Sequence, residues 1–349
     1  MLLVKDKMNY PSISIIIPTL NASKTLGFCL DSIVIQDYPK ERIEFVFADG
    51  GSMDETISVI KSKLSAIRYT LYANPLKTGE AGKAVGVKNA RNEILVFIDS
   101  DNILPQRDWL HRMVEPFGDK EIIASEPLEY TYRRSDSYIT RYCAMLGMND
   151  PLCYFVGNYD RFSLLSNKWT EVPRNEEDKG RYLKVGFPDV KNIPTIGANG
   201  FLIRRDVLLQ YNIGEYLFDV DIICDLIYKN KFKIAKVKIG IIHLYCDKIR
   251  QFVKKQRRRI RDYNYYNKLG LRKYPWGSIK IGKLVKFCIY TGLLIPVLLQ
   301  SFKGFFRKMD FAWFFHPIAC LLTLFVYGFN TIKNIFQNTA IESRQSWKQ

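Results

Sequence analysis

Hydrophobic and polar positions in the first hundred residues follow two alternating periods. Ile13 to Ile17 is a short β-branched run that stops at Pro18, as a buried parallel strand does. From Ser23 the period lengthens, and Leu26, Cys29, Leu30, Ile33 and Val34 fall on one face of a helix that runs no further than Tyr38-Pro39. Ile43 to Ala48 reads as a second strand, closed by Asp49-Gly50-Gly51-Ser52, with Asp54 placed to cap the next helix. Arg68 to Tyr72 and Glu93 to Ile98 read as further strands, with a helix predicted from Gly82 to Arg91 between them. This alternation predicts an α/β fold with a mostly parallel, doubly wound sheet and helices on both faces. Such sheets bind ligands beyond the carboxyl ends of their strands. Pro18-Thr19, Asp49 and Asp99-Ser100-Asp101 fall there.

The pattern weakens over residues 103–190. Tyr130 to Tyr142 is rich in Tyr and Arg, and the polar, acidic stretch from Asn167 to Gly180 predicts an excursion or mobile loop. Regularity returns from Ile196 to Ile203, followed by a helix after Asp206, a helical segment around Asp219 to Tyr228, and a strand-like Lys238 to Ile242. Near the C-terminus, Phe287 to Gln300 is uncharged over 14 residues and Phe311 to Asn330 over 20. A bilayer span takes about 20 apolar residues, so the second is long enough and the first is short. Lys280, Lys283 and Lys286 precede the first segment, and Lys303, Arg307 and Lys308 lie between the two. If both spanned, that basic loop would be on the far side, against the positive-inside rule. The first segment is therefore expected to be re-entrant or interfacial, with its cationic flanks on anionic cytosolic headgroups. A hairpin of two short spans and a buried helical subdomain are the alternatives.

Charge follows the same division. The 349 residues carry a formal charge of +17, with 47% apolar and 25% charged residues, which excludes disordered, collagenous and disulfide-scaffold classes. Residues 231–349 hold 24 Lys and Arg against 4 Asp and Glu, whereas residues 1–230 hold 28 against 31. A near-neutral body thus bears a cationic, apolar end, whose partner is nucleic acid or an anionic membrane. Its basic residues border apolar segments rather than an aromatic-studded sheet, so the expected partner is a membrane and not nucleic acid. Seven cysteines without a CxxC pair read as reduced thiols, and MLLVKDKMNYP lacks the apolar core and cleavage site of a signal peptide. These features predict a catalytic domain over residues 1–245 on the cytoplasmic side of the cell membrane. A basic connector over 246–285 and membrane-associated helices with a tail over 286–349 complete the expected organisation.

The candidate chemistry centres on Phe97-Ile98-Asp99-Ser100-Asp101-Asn102, a strand running into two carboxylates one residue apart. Both can reach one divalent cation, and hard oxygen ligands suit Mg²⁺ or Mn²⁺ bridging a diphosphate. In isolation the tripeptide, which is common, reads first as an Asx-turn with a helix cap. Asp49 ends an earlier strand beside glycines that let a ligand approach the backbone, and Pro18-Thr19-Leu20-Asn21 ends the first. Three polar strand ends along one edge, in this order, point to a nucleotide-diphosphate crevice.

Ile15-Ile16-Ile17-Pro18-Thr19-Leu20-Asn21, Ala48-Asp49-Gly50-Gly51-Ser52-Met53-Asp54, Asn89-Ala90-Arg91-Asn92 and Phe97-Ile98-Asp99-Ser100-Asp101 together resemble the successive motifs of family 2 inverting glycosyltransferases of the GT-A fold. The resemblance resumes at Gly197-Ala198-Asn199-Gly200-Phe201 with Arg204-Arg205, and at Phe218-Asp219-Val220-Asp221. It implies that Pro18, Thr19 and Asn21 line the base and ribose site, that Asp49 accepts from the nucleobase, and that Ser100 belongs to the donor site. Asp99 would contact ribose or metal and Asp101 the metal, with Lys83 and Arg91 beside the diphosphate, although Lys83 also reads as part of a solvated helix face. Gly197, Asn199, Gly200 and Phe201 would form the loop under sugar and acceptor.

Asp219 matches the family's catalytic base, with Asp221 able to take over and a helix N-cap as the plainer role. His243 matches a metal- or diphosphate-contacting histidine of some members, or is simply packed. Gln256-Arg257-Arg258-Arg259-Ile260 is similar to the QxxRW segment of processive members, with Ile260 in place of Trp. Gln256, Arg258 and Arg259 then read as a diphosphate or lipid-phosphate patch, or as a solvated basic helix. Gly50 after Asp49, Phe218 before Asp219 and Asp225 depart from the family pattern.

The implied activity is inverting, Mn²⁺- or Mg²⁺-dependent transfer from a nucleotide diphosphate sugar, with UDP favoured, to a lipid-linked or cell-envelope glycan. A polyprenyl phosphate acceptor, already anionic, would not need the base. A membrane-docked nucleotide-binding module without transfer activity is the non-enzymatic alternative. A nucleotidyltransferase would need a Gly-rich, Lys/Arg-bearing loop after the first strand, which Pro18-Thr19-Leu20-Asn21 is not.

Overall fold

A computed structural model describes residues 10–189, 192–230, 232–274 and 281–336. The stretch before Tyr10 that was read for targeting, Lys280, and the tail after Phe336 lie outside the described residues. The chain forms two compact units, Met1–Glu126 with Ala198–Leu217, and Pro127–Gly197 with Phe218–Gln349.

In the first unit, β1 (Ile13–Thr19), β2 (Ile43–Asp49), β3 (Tyr69–Ala73) and β4 (Ile94–Phe97) are parallel and lie in the order β3-β2-β1-β4. β1, β2 and β4 are buried almost throughout, which is why their sequences are unbroken apolar runs. The register sets Ile13 beside Ile43 and Ile94 at one edge, and Thr19 beside Asp49 at the other. Six strand steps of about 3.3 Å put these edges roughly 20 Å apart.

The connecting helices are α1 (Ser23–Val34), α2 (Thr56–Lys63) and α3 (Gly79–Asn89). α1 turns Leu26, Cys29, Leu30 and Ile33 inward, as its period predicts. Asp54 serves two helices at once, accepting from Thr56 N at 3.1 Å and from Ser23 N at 3.1 Å. α3 starts at Gly79, ahead of the predicted Gly82, because the Thr78 hydroxyl caps it by accepting from Ala81 N at 3.0 Å. It rides so close to β1 that a Cβ on Gly82 would lie 2.8 Å from Pro18 Cβ, and one on Gly86 2.2 Å from Ile16 Cγ2. Close approach, not turning, explains these helical glycines.

After β4 come the two-residue β5 (Asn102–Ile103), α4 (Trp109–Val114) and β6 (Ile122–Tyr130), which leaves the first unit after Glu126. Near residue 200 the chain returns as β9 (Phe201–Arg204), antiparallel between β4 and β6, and continues into α7 (Arg205–Leu208). The α/β class holds, with a mixed sheet: the parallel part ends at β4, where β9 enters without a βαβ crossover.

The second unit contains α5 (Tyr138–Leu146), α6 (Pro151–Val156), β7 (Asn175–Asp178), β8 (Tyr182–Gly186), α8 (Asp219–Asn230) and β10 (Lys233–His243). It continues through α9 (Ile249–Lys268), α10 (Ile281–Leu293), α11 (Ile295–Arg307) and α12 (His316–Phe336). The acidic stretch read as an excursion includes half of a hairpin, β7 against β8, which in turn pairs with β10. All four β7 side chains are exposed, so no apolar alternation marks the strand. The C-terminal helices pack in the same unit as residues 127–197, where Tyr142, Met145, Leu165, Phe252, Trp313 and Phe315 share one core.

Candidate active site

The carboxyl edge of the first unit is organised by Asp49. This nearly buried carboxylate accepts from Thr19 Oγ1 at 2.8 Å, Ser52 Oγ at 2.6 Å, Ser52 N at 2.8 Å and Gly51 N at 2.9 Å. Burial alone would raise its pKa, but the hydrogen bonds from Ser52, Thr19 and Gly51 outweigh it and hold the carboxyl below its ordinary range. Four donors match the roughly four lone-pair positions of a carboxylate. Any further donor reaching Asp49 would share or displace one of them. Asn21, with φ +49°, joins the same loop by donating to Ser52 Oγ and accepting from Met53 N, each at 2.9 Å. Gly51, at φ +84°, occupies the left-handed region that favours glycine.

Asp99 and Asp101 are half-buried at the end of β4, flanking the half-buried Ser100. Asn102, fully buried, fixes their turn: its Oδ1 accepts from Asp99 N at 3.0 Å, and its Nδ2 donates to Asn199 Oδ1 at 3.0 Å. Asn199 and Gly200 both have positive φ, and Gly200 N donates to Phe97 O at 3.0 Å, so Asn199, Gly200 and Phe201 sit against this strand end. Sequence reading missed Asn102; its signal was an Asn three residues after Asp99, a turn-forming position.

Lys83 and Arg91 separate. Lys83 lies in the first half of α3, next to the Gly82 that abuts Pro18, and is mostly buried with Nζ 5.9 Å from the Phe97 ring centroid. It belongs to the carboxyl edge and not to a solvated helix face. Arg91 does not belong there. Its backbone N donates to Glu44 Oε2 at 3.1 Å, and its neighbour Asn92 donates to Ser14 Oγ and Ile13 O, all at the amino edge. The diphosphate role for Arg91 is corrected accordingly: α3 runs antiparallel to β1, and the chain must cross the whole of β4 before reaching Asp99.

Asp99 and Asp101 supply hard oxygens, and among the described residues no three His, Cys, Asp or Glu side chains gather as a ready-made metal cage. This donor set fits an ion such as Mg²⁺ or Mn²⁺, which takes one or two carboxylates and completes its shell with water and substrate phosphate.

In the second unit Asp219 is the first residue of α8 and not its cap, since Phe218 O accepts from Ile222 N at 3.1 Å. Gly197, at φ +127°, abuts it; a Cβ there would lie 2.5 Å from Asp219 Cβ. Asp221 is committed elsewhere. It is buried, accepts from Arg272 Nε at 2.9 Å and from Tyr274 N at 2.6 Å, pairs with Arg272 Nη2 at 2.8 Å, and also takes Lys273 N.

His243 ends β10 with Nδ1 3.2 Å from Asn149 Nδ2, packed edgewise against Tyr245 and beside Tyr130. Gln256 is buried, donating to Asn149 O at 2.8 Å while its Oε1 accepts from Arg259 Nη1 and from the Tyr327 hydroxyl, each at 3.0 Å. Arg259 pairs with Asp150 at 3.3 Å, and Arg258 is exposed. Gln256 is internal, whereas Arg258 and Arg259, the latter paired with Asp150, both reach the surface.

A mixed α/β sheet with the parallel order β3-β2-β1-β4 and an antiparallel β9 beside β4 is the architecture of a glycosyltransferase of the GT-A type. The family model described as glycosyl transferase family 2 matches residues 14–211, and the chain belongs to that family of enzymes. It is 34% identical over 113 residues to a dolichyl N-acetyl-α-D-glucosaminyl phosphate 3-β-D-2,3-diacetamido-2,3-dideoxy-β-D-glucuronosyltransferase of Methanococcus voltae, covering 32% of this chain and 34% of that protein. It is 27% identical over 141 residues to glycosyltransferase AglE of Haloferax volcanii, covering 40% and 46% respectively. The matches thus span less than half the length of these two relatives. Among solved structures, the mannosyltransferase PcManGT from Pyrobaculum calidifontis, in complex with GDP-Man and Mn²⁺, superposes with a TM-score of 0.56 at 14% identity, covering 95% of this chain and 89% of that one. This likeness bears out the GT-A fold.

Proposed function

We propose that the chain transfers a sugar, with inversion, from a nucleotide diphosphate sugar to a lipid-linked or cell-envelope glycan on the cytoplasmic side of the cell membrane. The donor is a UDP-sugar by family resemblance. The observation that carries this reading is the pair of half-buried carboxylates, Asp99 and Asp101, in a turn locked by Asn102 at the edge that also carries Thr19, Asp49 and Lys83. The Methanococcus relative, named for a dolichyl-linked sugar phosphate, supports a lipid-linked acceptor.

Asp99 and Asp101 would hold Mn²⁺ or Mg²⁺, which when bound neutralises charge developing on the departing nucleotide diphosphate. Lys83 adds a fixed positive charge at the same edge, and the Asp49 loop seats the nucleoside. Asp219 takes the proton of the acceptor hydroxyl as its oxygen attacks the anomeric carbon. The bond to the diphosphate breaks on the opposite face, which inverts the centre. Asp221, held by Arg272 and the following backbone, leaves the base role to Asp219.

The test is a panel of nucleotide sugars given to the purified full chain with Mn²⁺ or Mg²⁺, reading donor hydrolysis and transfer. Asp101→Ala is expected to abolish both, and retention of turnover on every donor the wild type uses overturns the reading. Asp219→Asn is expected to abolish transfer to a hydroxyl acceptor. Undiminished transfer by Asp219→Asn to a polyprenyl phosphate would place the acceptor in that class instead.

A further inference from the structure

The segment Phe311–Asn334 is long and apolar enough to cross a membrane, yet 44% of its apolar 18-residue window is buried within the protein. What buries it decides how it can meet a bilayer. At its start Phe315 packs edgewise on Phe252 of α9, with centroids 5.4 Å apart. One turn into α12, Ala319 joins the same buried core. At its middle, the Tyr327 hydroxyl donates to Gln256 of α9 at 3.0 Å and to Asp150. The first half of α12 is therefore laid along α9.

α9 is the most cationic helix of the chain, and Lys254, Arg257 and Arg258, within two residues of Gln256, are exposed. If the Phe311–Asn334 segment crossed a bilayer, Tyr327 would lie seven residues, about 10 Å, in from Asn334 and inside the hydrocarbon. The α9 cations, a few Å along their own helix from Gln256, would then be held in hydrocarbon together with the Asp150–Arg259 pair.

The outward side of α12 is different. Ile318, Phe325, Phe329 and Ile332 form one exposed stripe at spacings of seven, four and three, with both phenylalanines 69% exposed. α10 and α11, which pack against α12, add exposed Leu293, Ile295, Leu299 and Phe306. Each has 13 residues, about 20 Å, and the two are bent by 89° at Leu294, so neither reaches across hydrocarbon alone. Lys286, Lys303 and Arg307 are exposed among these apolar residues. The one acid between Ile281 and Phe336, Asp310, is taken up by Arg141 and Tyr132. Apolar side chains mixed with uncompensated cations complement an anionic bilayer surface.

We infer that α10, α11 and α12 form a one-sided dock that sinks its apolar residues into one leaflet of an anionic bilayer, and that α12 lies in the interface without crossing. This rests on the membrane partner proposed above and settles how that partner is engaged.

The experiment places single exposed cysteines before and near the end of α12, Met309→Cys and Lys333→Cys, in the full chain with the exposed Cys288 replaced by Ser. A membrane-impermeant maleimide is applied to sealed membrane vesicles of either orientation from expressing cells. Both positions are expected to label equally in one orientation and to be protected in the other until detergent is added. Labelling of the two positions in opposite orientations overturns the inference, since it requires a span. Failure of the purified chain to co-sediment with vesicles of phosphatidylcholine and phosphatidylglycerol also overturns it, since it removes the dock. Donor hydrolysis by the same variants is scored separately: active protein that labels on opposite sides refutes the topology alone, and inactive protein that labels on one side refutes the enzymatic reading alone.

Discussion

Asp219 and Asp221 share the first turn of α8, and replacing each in turn separates chemistry from architecture. Asp221→Ala removes a carboxylate that holds the Arg272 guanidinium through two contacts of 2.9 and 2.8 Å and accepts from the backbone N–H groups of Lys273 and Tyr274. Breaking one partner of a buried ion pair costs about 3–5 kcal/mol. Here the Arg272 side chain is 13% exposed and can recover some water, which favours the low end. The orphaned N–H of Tyr274, whose residue is buried, restores about 1 kcal/mol to the cost. A loss of about 4 kcal/mol results, a large part of the ~5–15 kcal/mol that stabilises a typical domain. Asp221→Asn keeps one acceptor oxygen but not the charge and should cost about half as much. Urea unfolding of the full chain measures both. Asp219→Asn, in contrast, should lower kcat by roughly 10²–10⁴ if it is the general base. At a temperature where Asp221→Asn stays folded, its kcat should remain within a few-fold of wild type. An Asp221→Asn protein with an unchanged unfolding midpoint and a kcat reduced a hundredfold would refute the division of roles.

Three further outcomes follow from local geometry. Gly86→Ala drives a Cβ to within 2.2 Å of Ile16 Cγ2 and should cost about 1–3 kcal/mol, whereas Gly79→Ala on the same helix meets open space and should be neutral or stabilising by up to ~1 kcal/mol; opposite shifts in unfolding midpoint check this. Asp54 sits at about 2 against its ordinary 3.8: slight burial raises it, but hydrogen bonds from Thr56 and Ser23 lower it further. A depressed acid contributes its stability above the unfolded value and loses it as pH falls through the folded one. The wild type should therefore approach Asp54→Asn in urea midpoint as pH drops from 3.8 towards about 2, by about 1 kcal/mol for so exposed a group. Asn102→Ala removes the acceptor of Asp99 N and the donor to Asn199 Oδ1 and should raise the metal concentration for half-maximal activity about tenfold; a drop in stability with no shift in metal activation contradicts the positioning role.

How much of this was legible depended on whether burial left a mark in the chain. β1 and α1 read correctly because one is buried on every side and the other on a single face, and both conditions impose an apolar period. α3 read late because its contact with the sheet is made by Gly82 and Gly86, which carry no hydrophobic signal although their missing side chains set the distance. β7 was not legible because it is an edge strand whose side chains all face water, its pairing residing in the backbone. Thr19, Asp49, Asp99 and Asp101 could be assigned to the carboxyl edge because each ends or follows an apolar strand. Arg91 was misplaced by treating nearness in sequence as nearness in space. Residues just before a parallel strand lie at the edge opposite to those just after it, and β4 intervenes between Arg91 and Asp99.

The same distinction governs the C-terminal end. Its apolar content was plain in the sequence, but depth in a membrane is set by what the helix is attached to, and the attachment of Tyr327 to Gln256 joins residues 71 apart in the chain. A charged side chain at bilayer mid-depth costs about 2.5–3.5 kcal/mol on insertion scales. At the shallower depth of Tyr327 each of the exposed Lys254, Arg257 and Arg258 would cost less than that, but all three would weigh against a spanning arrangement together with the Asp150–Arg259 pair. Lying flat avoids that cost and still buries the Ile318–Ile332 stripe, so the polar helix beneath α12, more than the hydropathy of α12 itself, fixes the topology.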